Sequence, residues 1–179
     1  SIKARTARGV FYGIQSFSQI FPCKFEFRNA CSNDVVLHHL KITDYARFAW
    51  RAFMLDESRY FKGMEVVKNL LDPRALLKMN KFHWHLTDDQ GWRIEIKKYP
   101  KLTQVGSKRK NTQTSRNSEE RTGESHEGFY TQEEIKEIID YAKNFHITIV
   151  PEIELPGHAM AAIAAYPWLG SLVTITEVP

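Results

Sequence analysis

Apolar residues recur along the chain at two spacings, which predict helices and strands. Spacings of three or four residues indicate helices with a buried side. Such segments cover residues 4–20, 64–79, 132–145 and 158–166. Short runs rich in β-branched and aromatic residues are typical of strands. Such runs cover residues 35–43, 48–56, 81–87 and 146–152.

The predicted elements alternate regularly only after residue 47. From residue 48 the order is strand–helix, three times over, which implies parallel strands joined by right-handed crossovers. A doubly wound sheet and a (β/α) barrel both fit this order, and in both the chemistry gathers at the carboxyl ends of the strands. Residues 1–47 form a separate unit, a helix followed by a strand.

Local signals refine three of these segments. Pro73 falls inside the second helix, which we expect it to kink or break. Thr131 is a candidate N-cap for the third helix, and Glu134 completes a capping box. Residues 106–126 are almost all polar, so we expect a solvated surface loop there.

Composition and charge exclude several classes of protein. The chain has 179 residues, of which 42% are hydrophobic and 26% charged, as in ordinary globular domains. The formal net charge of +4 is mild and is not gathered in a basic stripe, so no nucleic-acid partner is expected. The longest mostly apolar stretch, residues 159–170, contains Pro167 and is too short to span a membrane.

The cysteines and the first residue give limited information. Cys23 and Cys31 lie in one loop-like stretch, where they either form one disulfide or remain free thiols. Their spacing is not that of a zinc site, and no cofactor is expected. The chain begins with Ser1 rather than methionine, from which we expect processing or truncation.

Ionisable residues follow each strand after residue 47. In chain order they are Asp56, Glu57, Arg59, Asp88, Asp89, Glu152, Glu154 and His158. Because the carboxyl ends of parallel strands share one edge of a sheet, this clustering predicts an active site there.

Alternation of side chains along a strand separates some of these residues. Asp56 and Glu57 are neighbours and should point to opposite faces, so we expect Glu57 to face solvent. Trp50 and Trp84 lie in or beside predicted strands and are expected in the core.

Two interpretations remain open for the histidines of the second strand. His83 and His85 should face the same side, and with Asp88 and His158 they form a candidate metal site of a metal-dependent hydrolase. The preferred interpretation is that both histidines are hydrogen-bonded barrel-core residues that orient nearby carboxylates.

Two long motifs carry a resemblance to a known family. They are MNKFHWHLTDDQGWR over residues 79–93 and PEIELPGH over residues 151–158, and shorter matches cover residues 47–51, 54–59 and 128–132. Together they resemble the family 20 glycoside hydrolases, the β-N-acetylhexosaminidases.

The resemblance implies a partial TIM barrel. Residues 1–47 would be the C-terminal part of a small α+β domain, and residues 48–179 the first three βα units of a truncated (β/α)8 barrel. The substrates would be glycans such as chitobiose that end in β-linked GlcNAc or GalNAc. Hydrolysis would be retaining and substrate-assisted, through attack by the sugar's own acetamido oxygen. Family members act in the periplasm, outside cells or in lysosomes, so an exported protein is expected.

The resemblance also assigns roles to single residues. Arg59 matches the arginine that holds the C3 and C4 hydroxyls of the sugar. Asp88 and His158 match a pair beside the catalytic acid. Supporting positions are matched by Asp56, His85, Glu152 and Glu154.

The family's catalytic Asp-Glu dyad lies in a Gly-Gly-Asp-Glu run after the fourth strand. The 179 residues contain no such run, so the resemblance places the dyad beyond Pro179. We therefore expect an N-terminal fragment without measurable hydrolysis. The alternative implied by the missing dyad is a degenerate protein that binds sugar without cleaving it.

Overall fold

The computed structural model describes residues 1–20, 37, 39–115, 120–171, 175 and 177–179. Its α-helices are α1 (Ala7–Ser18), α2 (Met64–Leu76), α3 (Lys101–Gln104), α4 (Gln132–Lys143) and α5 (Met160–Ala165), followed by a 3₁₀ turn at Pro167–Leu169. Its strands are β1 (Ala52–Asp56), β2 (Lys81–His85), β3 (Thr87–Asp88), β4 (Gly91–Trp92), β5 (Lys108–Arg109), β6 (His126–Glu127) and β7 (Thr148–Glu152). In the described part of the chain, no helix combines the length and apolar character needed to cross a membrane.

The central sheet is parallel and has the order β1-β2-β7. Its register aligns Asp56 with His85 and His85 with Glu152, so three strands end at one level. The helices α2 and α4 lie between successive strands in the sequence and contact each other. These observations confirm the α/β class predicted from the alternation of strands and helices.

The core lies on the helix side of the sheet. Phe82 and Trp84 of β2 are fully buried against apolar side chains of α2 and α4. Trp84 is therefore a core residue, as predicted. Trp50 is not, because it precedes β1 and is 59% exposed.

The first strand is less buried than the sequence predicts. It begins only at Ala52. Met54, on the face of β1 that points away from the helices, is 57% exposed. Side chains of a strand alternate between two faces, and among the described residues only the helix-side face of β1 is packed.

Proline does not break the second helix. The helix α2 continues through Pro73 to Leu76, and the Pro73 carbonyl accepts a hydrogen bond from the Leu77 amide. Burial of Val67, Leu71 and Ala75 anchors the helix on both sides of the proline. The predicted break was wrong, and so was the predicted end at residue 79, since Lys78 has a φ of 57°.

The described residues before β1 contain a helix but no strand. Thr6 caps α1 by accepting a hydrogen bond from the Gly9 amide at 3.0 Å, and α1 confirms the middle of the helix predicted over residues 4–20. Residues 37 and 39–43 are not in a strand, since no described segment pairs with them. Residues 35, 36 and 38 lie outside the described residues, as do Cys23 and Cys31.

The segment predicted as a solvated loop is partly buried. Its described residues include the strand β5, which pairs antiparallel with β6. Arg109 of β5 is only 4% exposed, and Ser107 is 1% exposed. The predicted exposure is confirmed for residues 108, 110, 111, 113–115 and 120–125. It was wrong for Ser107 and Arg109, because the Ser107 carbonyl accepts from Arg93 at 2.6 Å and Arg109 donates to the Gln90 carbonyl at 3.2 Å, contacts that local polarity does not reveal.

The capping box of α4 is confirmed and supports a stability prediction. The Thr131 hydroxyl accepts from the Glu134 amide at 3.2 Å, and the Glu134 carboxylate accepts from the Thr131 amide at 2.7 Å. Thr131→Ala should lower the free energy of unfolding by about 1 kcal/mol, measured by urea denaturation. Thr131→Ser keeps the hydroxyl and should restore most of the loss. Equal stability of Thr131→Ala and the wild type would contradict this role.

Candidate active site

The carboxyl ends of the three parallel strands bring most of the predicted site residues together. Asp56 ends β1, His85 ends β2 and Glu152 ends β7. Asp88 lies just after β2, and His158 lies just before α5. Contacts among these side chains are organised around Arg59 and Asp88.

Arg59 lies between two carboxylates. Its Nη1 is 2.7 Å from Asp56 Oδ2, and its Nη2 is 2.7 Å from Asp88 Oδ2. Nη1 also lies 3.2 Å from His85 Nδ1. The two carboxylates hold the Arg59 side chain in place. The side chain is still 46% exposed, so it remains accessible to a ligand.

Asp56 anchors the start of this arrangement. Its Oδ1 accepts hydrogen bonds from the Ser58 hydroxyl at 2.7 Å and from the Arg59 amide at 3.1 Å. Burial acts to raise the pKa of Asp56, but the hydrogen bonds from Ser58 and Arg59 outweigh it and hold this pKa below its usual value. Asp56 is therefore an anion that fixes both the backbone and the guanidinium of Arg59.

Asp88 is the buried centre of the cluster, with only 2% of its side chain exposed. Besides Arg59, its Oδ2 lies 3.3 Å from His85 Nε2, and its Oδ1 lies 3.2 Å from His158 Nδ1. His158 has a φ of 52° and a side chain that is 59% exposed. Asp88 thus contacts a residue at or after the end of each parallel strand, namely Arg59 after β1, His85 at the end of β2 and His158 after β7.

Glu152 closes the site on the side of β7. One of its oxygens contacts His83 Nε2, and the other lies 3.9 Å from His85 Nε2. Burial acts to raise the pKa of Glu152, but a hydrogen bond with Glu154 and the two histidines hold it below its usual value. Glu154 is positioned through its amide, which donates to Thr87 Oγ1 at 2.8 Å. Glu152 and Glu154 therefore both lie beside His85.

The three histidines of the alternative metal site are not assembled. Among the described residues, candidate ligand clusters are His85 with Glu152 and Glu154, and His158 with Asp88 and Asp89. His83 belongs to neither cluster. His85 is buried and contacts carboxylates, as predicted. His83 also contacts a carboxylate, that of Glu152, but its side chain is 40% exposed, so its predicted position in the core is not confirmed.

Glu57 lies in the interior, where the sequence predicted solvent. It is fully buried, and its Oε2 accepts from the Lys62 amide at 2.9 Å and from the Tyr130 hydroxyl at 3.0 Å. The alternation rule correctly turns it away from Asp56, but that direction leads into the packed helix side. Burial raises the pKa of Glu57 and also that of Tyr130.

The raised pKa of Glu57 should make the free energy of unfolding depend on pH. A carboxyl with a raised folded-state pKa binds its proton more tightly when folded, so its contribution to stability is lost as the pH rises above 4.5. Relative to Glu57→Gln, the wild type should thus be most stable below pH 4.5 and lose that advantage as the pH rises. Chemical denaturation of both proteins between pH 4 and 8 tests this expectation, and a constant difference would contradict it.

A direct comparison tests the family that the motifs suggest. The sequence model of the family "Glycosyl hydrolase family 20, catalytic domain" matches residues 48–177. The chain belongs to glycosyl hydrolase family 20. The predicted resemblance is thereby confirmed over nearly all of the sequence after residue 47.

Individual members of the family are similar to the chain over most of its length. A beta-hexosaminidase of Porphyromonas gingivalis is 47% identical over 169 residues, covering 94% of this chain and 21% of that protein. The Streptomyces plicatus N-acetyl-beta-hexosaminidase, solved in complex with Thio-NAglucal, is 39% identical with a TM-score of 0.86. A Bacteroides fragilis beta-N-acetylhexosaminidase is 42% identical with a TM-score of 0.75. Each of these two structures covers 98% of this chain and is itself covered to 33%.

The chain spans about a fifth to a third of the length of these relatives. The strand ends described above bring together the residues from Asp56 to His158 for which the motifs predict a role at a sugar site, and that role stays a prediction. The Asp-Glu dyad that the resemblance places beyond Pro179 is not among the 179 residues and stays a prediction.

Proposed function

We propose that the protein containing this chain is a β-N-acetylhexosaminidase that removes terminal β-linked GlcNAc or GalNAc from glycans such as chitobiose. Membership of glycosyl hydrolase family 20 and the names of the similar proteins support the reaction class. The observation that carries the proposal is the half-exposed guanidinium of Arg59, fixed between Asp56 and the buried Asp88.

Arg59 has the chemistry needed to hold a sugar. A guanidinium presents donors in a planar fork that can bind two neighbouring hydroxyl oxygens at once. Its two carboxylate partners already fix one side of that fork, which lowers the entropy lost on binding. In the proposed complex, the remaining donors of Arg59 bind the C3 and C4 hydroxyls of the terminal sugar.

Asp88 and His158 would act on the catalytic acid. A carboxylate near a second carboxyl raises the pKa of that group, which keeps a general acid protonated at neutral pH. His158 Nδ1 lies 3.2 Å from Asp88 Oδ1, and in the proposed complex its exposed imidazole would contact such a group. The acid then protonates the glycosidic oxygen while the acetamido oxygen of the substrate attacks the anomeric carbon. Water opens the resulting oxazolinium with retention of configuration.

The proposal divides the work between this chain and the rest of the protein. Residues 48–179 would supply the first three βα units of the barrel, and residues 1–47 the end of the small domain before it. The chain has no Gly-Gly-Asp-Glu run, so the proposed acid is supplied by sequence beyond Pro179. The chain alone should therefore not hydrolyse the substrate. We also propose that the intact protein is exported and needs no cofactor.

Hydrolysis assays of two proteins test the proposal. The intact protein should release p-nitrophenol from the β-GlcNAc glycoside but not from its α-anomer, and proton NMR should show the β-sugar as the first product. The 179-residue chain should release none under the same conditions. An inactive intact protein, or an α-sugar as first product, would overturn the proposed reaction. Turnover by the isolated chain would overturn the division of labour.

A further inference from the structure

A fully buried arginine lies directly behind the candidate site. Arg93 is 0% exposed, and its guanidinium donates to backbone carbonyls rather than to a carboxylate of the described residues. Its acceptors are the carbonyls of Glu57, Ser58, Gln90, Ser107 and Gly128. One side chain thus ties the loop after β1 to two distant parts of the segment between β4 and α4.

The strongest constraint falls on the residues immediately before Arg59. Arg93 Nε lies 3.2 Å from the carbonyls of Glu57 and Ser58, and Nη2 lies 3.0 Å from that of Ser58. The amides of the same two residues donate to the His85 carbonyl at 3.0 and 3.2 Å. The backbone leading into Arg59 is therefore held from both sides.

The surrounding backbone leaves room for this guanidinium. A Cβ at Gly91 would lie against the Arg93 guanidinium, so a larger residue would displace it. Gly128 has a φ of 151°, a conformation that residues with a side chain rarely adopt, and its carbonyl accepts from Arg93 Nη1 at 3.0 Å. Gly91 and Gly128, near the two ends of the segment between β4 and α4, thus shape the backbone around the Arg93 guanidinium.

Charge and shape both require arginine here. Burial and the nearby Arg109 lower the pKa of Arg93 to about 10, which leaves it protonated at neutral pH. A lysine would keep the charge, but its ammonium has three donors on one nitrogen. It cannot donate to all five backbone carbonyls that surround the planar guanidinium of Arg93.

We propose that Arg93 is a positioning residue for sugar binding, which fixes the backbone of Glu57 and Ser58 so that Arg59 meets the C3 and C4 hydroxyls. This inference rests on the proposed function, since it concerns the same sugar site. Removing the constraint should let Arg59 move away from Asp88, although Arg93 itself touches neither the sugar nor the reacting atoms.

The test compares Arg93→Lys with Arg109→Lys in the intact protein. Arg109 is a matched control because it is also buried, and it donates to Gln90 and Thr112 instead of to the loop before Arg59. For Arg93→Lys, KM for the β-GlcNAc glycoside should rise roughly 10- to 100-fold, since small displacements of a binding group have effects of this size. KM for the 4-deoxy analogue should change much less. Arg109→Lys should not change the preference for the 4-hydroxyl.

A double variant and a structure separate positioning from loss of stability. In the background of Arg59→Ala, the substitution Arg93→Lys should cause no further loss of preference for the 4-hydroxyl. A crystal structure of Arg93→Lys should show the Arg59 guanidinium displaced from Asp88. An undisplaced guanidinium would overturn the inference whether or not the protein is active. Equal losses on both substrates would also overturn it, and an inactive wild type would overturn only the proposed reaction.

Discussion

Asp88→Asn is expected to lower kcat/KM of the intact protein for β-N-acetylhexosaminides by about 10²- to 10³-fold, because Asp88 is the buried partner of Arg59 and losing such a partner costs about 2–5 kcal/mol once a ligand covers the pair. The substitution preserves size but removes the negative charge that faces Arg59, His85 and His158. The guanidinium loses its buried counter-ion, and the proposed acid loses the carboxylate that keeps it protonated.

Asp89→Asn is the matched control for this prediction. Asp89 is the next residue, but its side chain is 27% exposed and accepts from the Met160 amide at 3.1 Å, a bond that asparagine can keep. Its separation from His158 Nδ1 is 3.8 Å, longer than that of Asp88. Its kcat/KM should therefore stay close to the wild-type value. Equal effects of the two substitutions would show that the buried charge of Asp88 has no special role.

Arg59→Lys is expected to lower kcat/KM by about 10²- to 10³-fold, since two hydrogen bonds to a charged donor are worth about 1.5–3 kcal/mol each. Lysine keeps the positive charge between Asp56 and Asp88 but cannot bind two hydroxyls and two carboxylates with one nitrogen. The loss should appear mainly with sugars that carry both the C3 and C4 hydroxyls.

Two comparisons make the Arg59 prediction specific. The 3,4-dideoxy substrate should be cleaved at similar rates by the wild type and by Arg59→Lys. Arg74→Lys serves as the control substitution. Arg74 lies in α2 and packs over the ring of Phe53 in β1, away from the site. Its kcat/KM should be unchanged. Full activity of Arg59→Lys on the unmodified sugar would contradict the proposed role.

The sequence predicts the arrangement of the candidate site residues where that arrangement follows strand geometry. Asp56, His85 and Glu152 are aligned because parallel strands end at one edge, and this can be read from the alternation of elements. The placement of Arg59 beside Asp88 could not be read this way, because it depends on a loop conformation. The motifs supplied that pair only through the family resemblance.

Two of the wrong predictions share a physical cause. Glu57 and Arg109 were expected in solvent, and both are buried. Glu57 is buried where Tyr130, from the segment between β4 and α4, donates to it across the loop after β1, and Arg109 is buried where it donates to the Gln90 carbonyl. Polar side chains enter such an interior when backbone groups satisfy them, which local hydrophobic patterns do not encode. Arg93 was noted only as the end of a motif, although five backbone carbonyls make it the buried centre of this contact.

A crystal structure of the intact protein with bound GlcNAc would show whether Arg59 binds the sugar. We expect the Arg59 guanidinium at roughly 3 Å from the C3 and C4 hydroxyl oxygens, a normal hydrogen-bond length. Its contacts with Asp56 and Asp88 should remain in place. A sugar bound elsewhere, or one whose C3 and C4 hydroxyls face away from Arg59, would contradict the account.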